Sequence, residues 1–199
     1  QAGSYDYPLV ALAILVAVFT AYTAADILWR TSIGNADKTR TRWLWIGGIV
    51  LGLGAWTAHL IGMLAAKEHF SFTYRADITV ISILLVLTGS VCAMYLVSRC
   101  QRTTCLLAAG ALLGLGLVAM CFTGMYAIVM PGMQHSYDYG IVALSYAVAA
   151  VFSVMALRVL HRFYHGKSVH PGWEKVAFSI LMGSAIIGII HEARVLELA

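Results

Sequence analysis

The chain has 199 residues, of which 61% are apolar and only 11% are charged, and its mean hydropathy is +0.84. A water-soluble chain of this size has too little interior to hide so much apolar surface, so a soluble globular domain is excluded. The formal net charge of +4 comes from basic residues clustered between the apolar segments. It therefore indicates membrane orientation and no nucleic-acid partner.

Six apolar segments follow one another along the chain. They cover residues 8–31, 43–66, 78–98, 104–130, 139–163 and 174–196. Each has about 20 residues or more, which at ~1.5 Å per residue crosses a ~30 Å hydrocarbon core. None alternates apolar and polar residues as barrel strands do. The sequence therefore predicts an all-α fold, a polytopic membrane bundle of six transmembrane helices.

The distribution of basic residues predicts the orientation of this bundle. Of the 13 lysines and arginines, ten lie in or beside the connections after spans one, three and five, and three lie on the opposite side. Such a bias in short loops places the basic side in the cytoplasm. We therefore expect the N-terminus and the loops at 67–77 and 131–138 to face outward. Six crossings return the chain to the outer face, so a cytoplasmic output domain is expected to need a further span beyond Ala199.

The four cysteines are expected to be reduced thiols. Cys92, Cys100, Cys105 and Cys121 lie in or beside predicted helices, and two of them are near the cytoplasmic ends. Thiols normally stay reduced there, so the sequence predicts no disulfide framework.

The chain repeats one hairpin unit three times. Tyr5–Leu12 and Tyr137–Leu144 open spans one and five in the same way, and Leu51–Met63 in span two aligns with Leu113–Met125 in span four. Small residues are common in membrane helices, which accounts for the matching glycines but not for a histidine and methionines at matching places. We therefore interpret the chain as a single domain, 1–199, built from repeated units. The predicted repeats are 5–66, 74–130 and 137–196.

The aligned segments carry candidate metal ligands. His59 and Met63 are four residues apart, so they lie on the same face of span two. Cys121 and Met125 repeat this spacing in span four, and Met120 flanks them. Imidazole, thiolate and thioether groups together suit copper, above all Cu(I). Buried methionine is more often a packing residue than a ligand, whereas a histidine inside a membrane is usually functional.

These motifs resemble the MHYT family, a bacterial membrane-sensor domain named for a Met-His-Tyr-Thr signature followed by Gly-Met, which occurs in three copies on alternate helices. Copy one, Ala58–Met63, keeps the histidine and the final methionine, and copy two, Met120–Met125, has cysteine in place of histidine. Copy three, in Met182–Arg194, has Ile190 at the histidine place, His191 one residue later, and no Gly-Met. His191 is either a third-copy ligand or a hydrated histidine near the headgroups.

The resemblance implies a sensory input domain of the bacterial inner membrane. Such a domain binds copper near the outer face, responds through it to O2, NO or CO, and signals to a cytoplasmic output domain or through a homodimer partner. Membrane lipid surrounds it, and any enzymatic activity is expected to lie in a domain beyond this chain. The candidate copper ligands are His59, Met63, Met120, Cys121, Met125 and His191.

Two alternative functions stay open at the level of sequence. A haem-binding electron-transfer protein would use His59 with His191, which requires the two histidines to face each other across the bundle. A small transporter or channel would need polar groups along a path, and Asp26 and His59 come from opposite halves of the membrane. Three further histidines lie among arginines on the predicted cytoplasmic side, where a solvated or headgroup-facing segment is expected: His161, His165 and His170.

Overall fold

Six long helices make up nearly all of the structure. The computed structural model describes residues 7–33, 37–66, 73–99, 102–126, 128–129, 139–164 and 171–197. Only the backbone is described at 31–33, 37–38, 66, 73–74, 128–129, 139, 141, 163–164, 171 and 187–197. The helices in these ranges are α1 (Tyr7–Ile33), α2 (Asp37–Ala66), α3 (Ala76–Arg99), α4 (Thr103–Tyr126), α5 (Tyr139–Tyr164) and α6 (Pro171–Glu197). Helices α1 to α5 each contain a segment long and apolar enough to cross a membrane. The predicted all-α membrane bundle is confirmed.

The helices form a closed ring. Each packs against its neighbours in the chain, and α6 completes the ring by packing against α1. The even-numbered helices α2, α4 and α6 also contact one another. In the apolar segments of α2 and α4, 56% of the residues are buried, compared with 28–39% in α1, α3 and α5. The helices that carry the predicted ligands therefore lie toward the centre.

Glycines at equivalent positions let the even-numbered helices approach the next odd-numbered helix. Gly52 packs on α3, Gly114 on α5 and Gly183 on α1, where a Cβ atom would stand 2.6 to 2.9 Å from the nearest neighbouring atom. Small residues permit such close approach in membranes. His59 follows its glycine by seven residues, and Ile190 follows Gly183 by the same interval. The contacts therefore repeat around the ring, and His191 is displaced by one register position, about 100° around a helix.

Two boundaries differ most from those predicted. Helix α4 ends at Tyr126, earlier than the predicted residue 130, because the chain next forms a two-residue strand, β2 (Ile128–Val129). It pairs antiparallel with β1 (Thr73–Tyr74), which joins the α2–α3 and α4–α5 connections. Helix α2 begins at Asp37, earlier than the predicted residue 43, because polar residues continue the helix beyond its apolar part. Hydropathy marks the membrane boundary, and the helix extends past it.

The expectation for the cysteines is wrong in one case. Cys92 and Cys121 are free thiols, as expected. Cys105, in the first turn of α4, is disulfide-bonded. A reduced thiol was expected there because the residue lies near a predicted cytoplasmic end, and location alone does not show whether a second cysteine is within bonding distance.

Ionic contacts link α1 to α6 at one end of the ring. We call this the basic end, the end at which α1, α3 and α5 finish and α2, α4 and α6 begin. The Lys175 ammonium lies 2.5 Å from Asp26 Oδ1, and Arg30 donates to Asp26 Oδ2 at 2.8 Å. Lys175 is 9% exposed and lies over the ring of Trp29, 5.8 Å from its centroid. The first and last helices of the ring are thus joined by a largely buried charge pair.

Candidate metal centre

His59 lies where α2 meets α4. It is only 3% exposed and stands near the end of α2 that is opposite to the basic end. Its Nε2 atom is 3.0 Å from the point at which a Cβ would stand on Gly124. Because glycine has no side chain, the imidazole rests directly on the backbone of α4. A histidine inside a membrane segment is thereby held at the interface between two central helices.

Sulfur-bearing residues lie within about one helical turn of this contact along both helices. Met120 and Cys121 are fully buried and lie one helical turn before Gly124, on the same side of α4. Met125 directly follows Gly124 and is 5% exposed, and Met63, one turn beyond His59 on α2, is 7% exposed. The structure therefore places His59 against the α4 segment that carries three of the predicted sulfur ligands.

The chemistry of these side chains fits a soft metal ion. In the part of the chain whose side chains are described, no group of three or more His, Cys, Asp or Glu residues is placed to hold a metal. Hard cations such as Mg²⁺ and Ca²⁺ depend on oxygen ligands, and structural zinc sites on histidine and cysteine. Here the additional candidate donors are methionine thioethers in a water-poor interior. One imidazole, one thiolate and thioethers are a set that suits Cu(I).

His191 is the predicted ligand that the structure does not place. It falls within α6, but its side chain lies outside the described residues. Its membership of the site stays a prediction, as does the haem alternative that pairs it with His59.

Sequence reasoning missed the part played by Gly124. This residue aligns with Gly62 in the repeated Gly-Met pair, and that alignment was a signal that it belongs to the motif. Close packing between helices explains many glycines in membrane proteins. The motif alone therefore did not show whether Gly124 contacts an imidazole or the backbone of another helix. The structure makes this distinction, because His59 Nε2 and Cδ2 lie 3.0 and 3.5 Å from the Cβ position of Gly124.

The fold and the buried histidine between two central helices define an integral membrane helical domain with an internally repeated hairpin. The chain belongs to the MHYT family. The model described as "Bacterial signalling protein N terminal repeat" matches residues 52–110 and 114–170. The two matches begin at the same offset that separates His59 from Cys121. The resemblance drawn from the motifs is confirmed.

Curated relatives extend well beyond the region that this chain matches. The bifunctional diguanylate cyclase/cyclic di-GMP phosphodiesterase MucR of Pseudomonas aeruginosa is 35% identical over 94% of this chain, which spans 27% of that protein. The cyclic di-GMP phosphodiesterase NbdA of the same species is also 35% identical over 94% of the chain, and the match covers 24% of NbdA. The signaling protein YkoW of Bacillus subtilis is 28% identical over 93% of the chain and is covered to 23%. The chain thus spans about a quarter of the length of these relatives. No solved structure matches it.

Proposed function

We propose that this MHYT domain is a sensory input module that binds copper between α2 and α4 and responds through the metal to O2, NO or CO. The observation that carries the proposal is the placement of the His59 imidazole on Gly124, within the α4 segment that holds Met120, Cys121 and Met125. Buried nitrogen and sulfur donors at one helix interface form a chemically suitable site for Cu(I).

Each side chain has a defined role in this proposal. His59 supplies the nitrogen ligand, and the backbone at Gly124 limits the positions that its ring can take. Cys121 supplies a thiolate, whose proton the metal displaces, and the methionines of α2 and α4 supply thioethers. The bound metal supplies a coordination position for a diatomic gas. Since the ligands come from two helices, a change in their number or geometry alters the contact of α2 with α4.

The output of the module is inferred from the relatives. MucR and NbdA are named for the synthesis or hydrolysis of cyclic di-GMP, and the region shared with this chain covers about a quarter of each. We infer that this domain controls an enzyme of that chemistry, with the domain in the bacterial inner membrane. The signal reaches the output through a covalently attached domain or a homodimer partner.

Metal content tests the site directly. We expect purified protein to contain copper by elemental analysis, and His59→Ala to lower copper affinity by at least about tenfold. His161→Ala is the matched control, because His161 lies at the basic end, away from the site. Unchanged copper content in His59→Ala, or a strong haem Soret band in the purified protein, would contradict the proposal.

Two cysteine variants and a gas probe refine this test. Cys121→Ser is expected to weaken copper binding, whereas Cys92→Ser, which changes the exposed free cysteine of α3, is expected to leave it unchanged. Carbon monoxide added to the reduced, copper-loaded protein is expected to give an infrared C–O band that His59→Ala lacks. Copper binding without any such band would retain the metal site and exclude CO as its ligand.

A further inference from the structure

A cavity at the basic end lies between the start of α4 and the end of α5. Its volume is about 290 Å³, near the lower limit of the ~300–1,000 Å³ found for ligand pockets. The lining residues are Arg102, Thr103, Leu106, Arg158, His161 and Arg162. None of them is acidic, and three are arginines. The cavity is therefore a concentrated positive site.

The three arginines differ from Arg30, Arg75 and Lys175 in their surroundings. Arg30 and Lys175 pair with Asp26, and Arg75 pairs with Asp77. Among the described side chains, no carboxylate forms an ion pair with Arg102, Arg158 or Arg162. Their mutual repulsion is thus not offset by an acidic partner from the described chain. An anion that entered the cavity would offset it.

The backbone at the start of α4 adds to the same positive potential. The carbonyl of Arg102 accepts hydrogen bonds from the amides of Cys105 and Leu106, at 3.1 and 3.4 Å, and so begins the helix. The N-terminus of a helix carries a partial positive charge that favours phosphate and other anions. On α5, Arg158 and Arg162 are four residues apart and occupy the same face. Two helices therefore direct positive charge at one volume.

The depth of the cavity indicates where its anion comes from. The membrane segments of α4 and α5 begin and end at Thr103 and Arg162, so the cavity lies at the level of the lipid headgroups. The basic end is the predicted cytoplasmic side, whose leaflet carries anionic lipids. Leu106, 8% exposed, provides an apolar contact beneath the arginines.

We propose that this cavity binds the phosphate headgroup of one anionic phospholipid. The guanidinium groups of Arg102, Arg158 and Arg162 bind the phosphate, because arginine presents several donors to phosphate oxygens in a planar arrangement. The Thr103 hydroxyl and His161 line the remainder of the site. The occupied site joins α4 to α5 at the end opposite to the metal centre.

The experiment compares two double variants of equal charge. Arg158→Gln with Arg162→Gln changes the cavity, whereas Arg42→Gln with Arg99→Gln removes two positive charges from the same end outside it. Each protein is placed in nanodiscs of phosphatidylcholine with or without phosphatidylglycerol, and the retained lipid is counted by native mass spectrometry. We expect wild type and control to retain one phosphatidylglycerol, and the cavity variant to bind it at least about tenfold more weakly than the control.

Equal retention by the cavity and control variants overturns the proposal. A separate arm adds inorganic phosphate to the protein in phosphatidylcholine nanodiscs and measures thermal stability. If inorganic phosphate raises the unfolding temperature as much as phosphatidylglycerol does, the lipid is overturned as the source of the phosphate. Recognition of phosphate by the cavity would then stand. Arg158→Lys with Arg162→Lys keeps the charge and is expected to restore part of the binding. Circular dichroism verifies that every variant is folded.

Discussion

The imidazole of His59 lies on the backbone of α4 at Gly124, with Nε2 3.0 Å from the Cβ position of that glycine. This contact joins the histidine of the first motif copy to the glycine of the second. The repeat therefore does more than duplicate a hairpin, because one copy supplies the imidazole and another supplies the surface on which it rests.

Gly124→Ala is expected to disturb the proposed copper site more than the fold. The new methyl group would stand 3.0 Å from the tip of the His59 side chain and 3.5 Å from its Cδ2, so the ring has to move while the helix backbones keep their places. We expect weaker copper binding with a nearly unchanged unfolding temperature. Gly172→Ala is the control, because no atom lies within 4 Å of its Cβ position. Equal copper affinity in the two variants would show that the ring position does not matter.

Replacement of thioethers by hydrocarbon separates ligation from packing. Met63→Leu and Met125→Leu keep a buried apolar side chain of similar volume, and such exchanges usually cost less than about 1.5 kcal/mol. Because leucine cannot bind a metal, copper affinity is expected to fall in both. Met94→Leu, at a fully buried methionine of α3, is the matched control. If all three variants bind copper as wild type does, the methionines are packing residues.

Gly48→Ala is expected to destabilise the bundle itself. A Cβ there would stand 2.7 Å from the Val91 Cα and 3.1 Å from its nitrogen, so α2 and α3 would have to separate. Overpacking of this kind costs about 1–3 kcal/mol. Thermal unfolding in detergent measures the effect, and Gly172→Ala again provides the reference without a steric clash. An unfolding temperature equal to that of the reference would mean that the two helices separate at little cost.

The Asp26–Lys175 pair predicts an unequal response to its two single variants. Asp26→Asn leaves the ammonium of Lys175, 9% exposed, without its carboxylate, which is expected to cost about 3 kcal/mol. Lys175→Met leaves Asp26 paired with Arg30 at 2.8 Å, so its effect is expected to be smaller. The double variant is expected to be more stable than Asp26→Asn alone. Chemical unfolding in detergent gives the free energy of unfolding of the three variants. A larger loss in Lys175→Met than in Asp26→Asn would contradict the pairing described here.

An exposed ion pair provides the comparison for this measurement. Arg75 and Asp77 lie 2.7 Å apart at the other end of the bundle, and both side chains are more than half exposed. Water screens such pairs, so Arg75→Gln is expected to leave stability close to that of wild type.

The six helices could be predicted because hydropathy reports directly on which segments leave water. The ends of the helices could not, since a helix continues into polar residues, as α2 does from Asp37, or stops for a strand, as α4 does at Tyr126. Both features depend on hydrogen bonds and polar surroundings, and a hydropathy average does not record them. The prediction was therefore most accurate in the middle of each span.

Part of the candidate site could also be predicted. Four-residue spacing placed His59 with Met63 and Cys121 with Met125, because helix geometry fixes which residues share a face. The contact of His59 with Gly124 depends on how α2 and α4 pack, which local spacing does not determine. For the same reason the sequence offered Asp26 only as a polar group of a possible transport path, because its partner Lys175 lies 149 residues away along the chain.

Closure of the ring between α1 and α6 makes the order of the helices in the gene separable from their order in space. The start of α1 and the end of α6 lie at the same face, opposite to the basic end, and the two helices pack side by side. A circularly permuted chain that links residue 197 to residue 7 and opens between β2 and α5 would keep every helix interface of the ring. The bundle is in this sense a cycle of three hairpins. The connections between its hairpins are equivalent in position to the junction of α6 with α1.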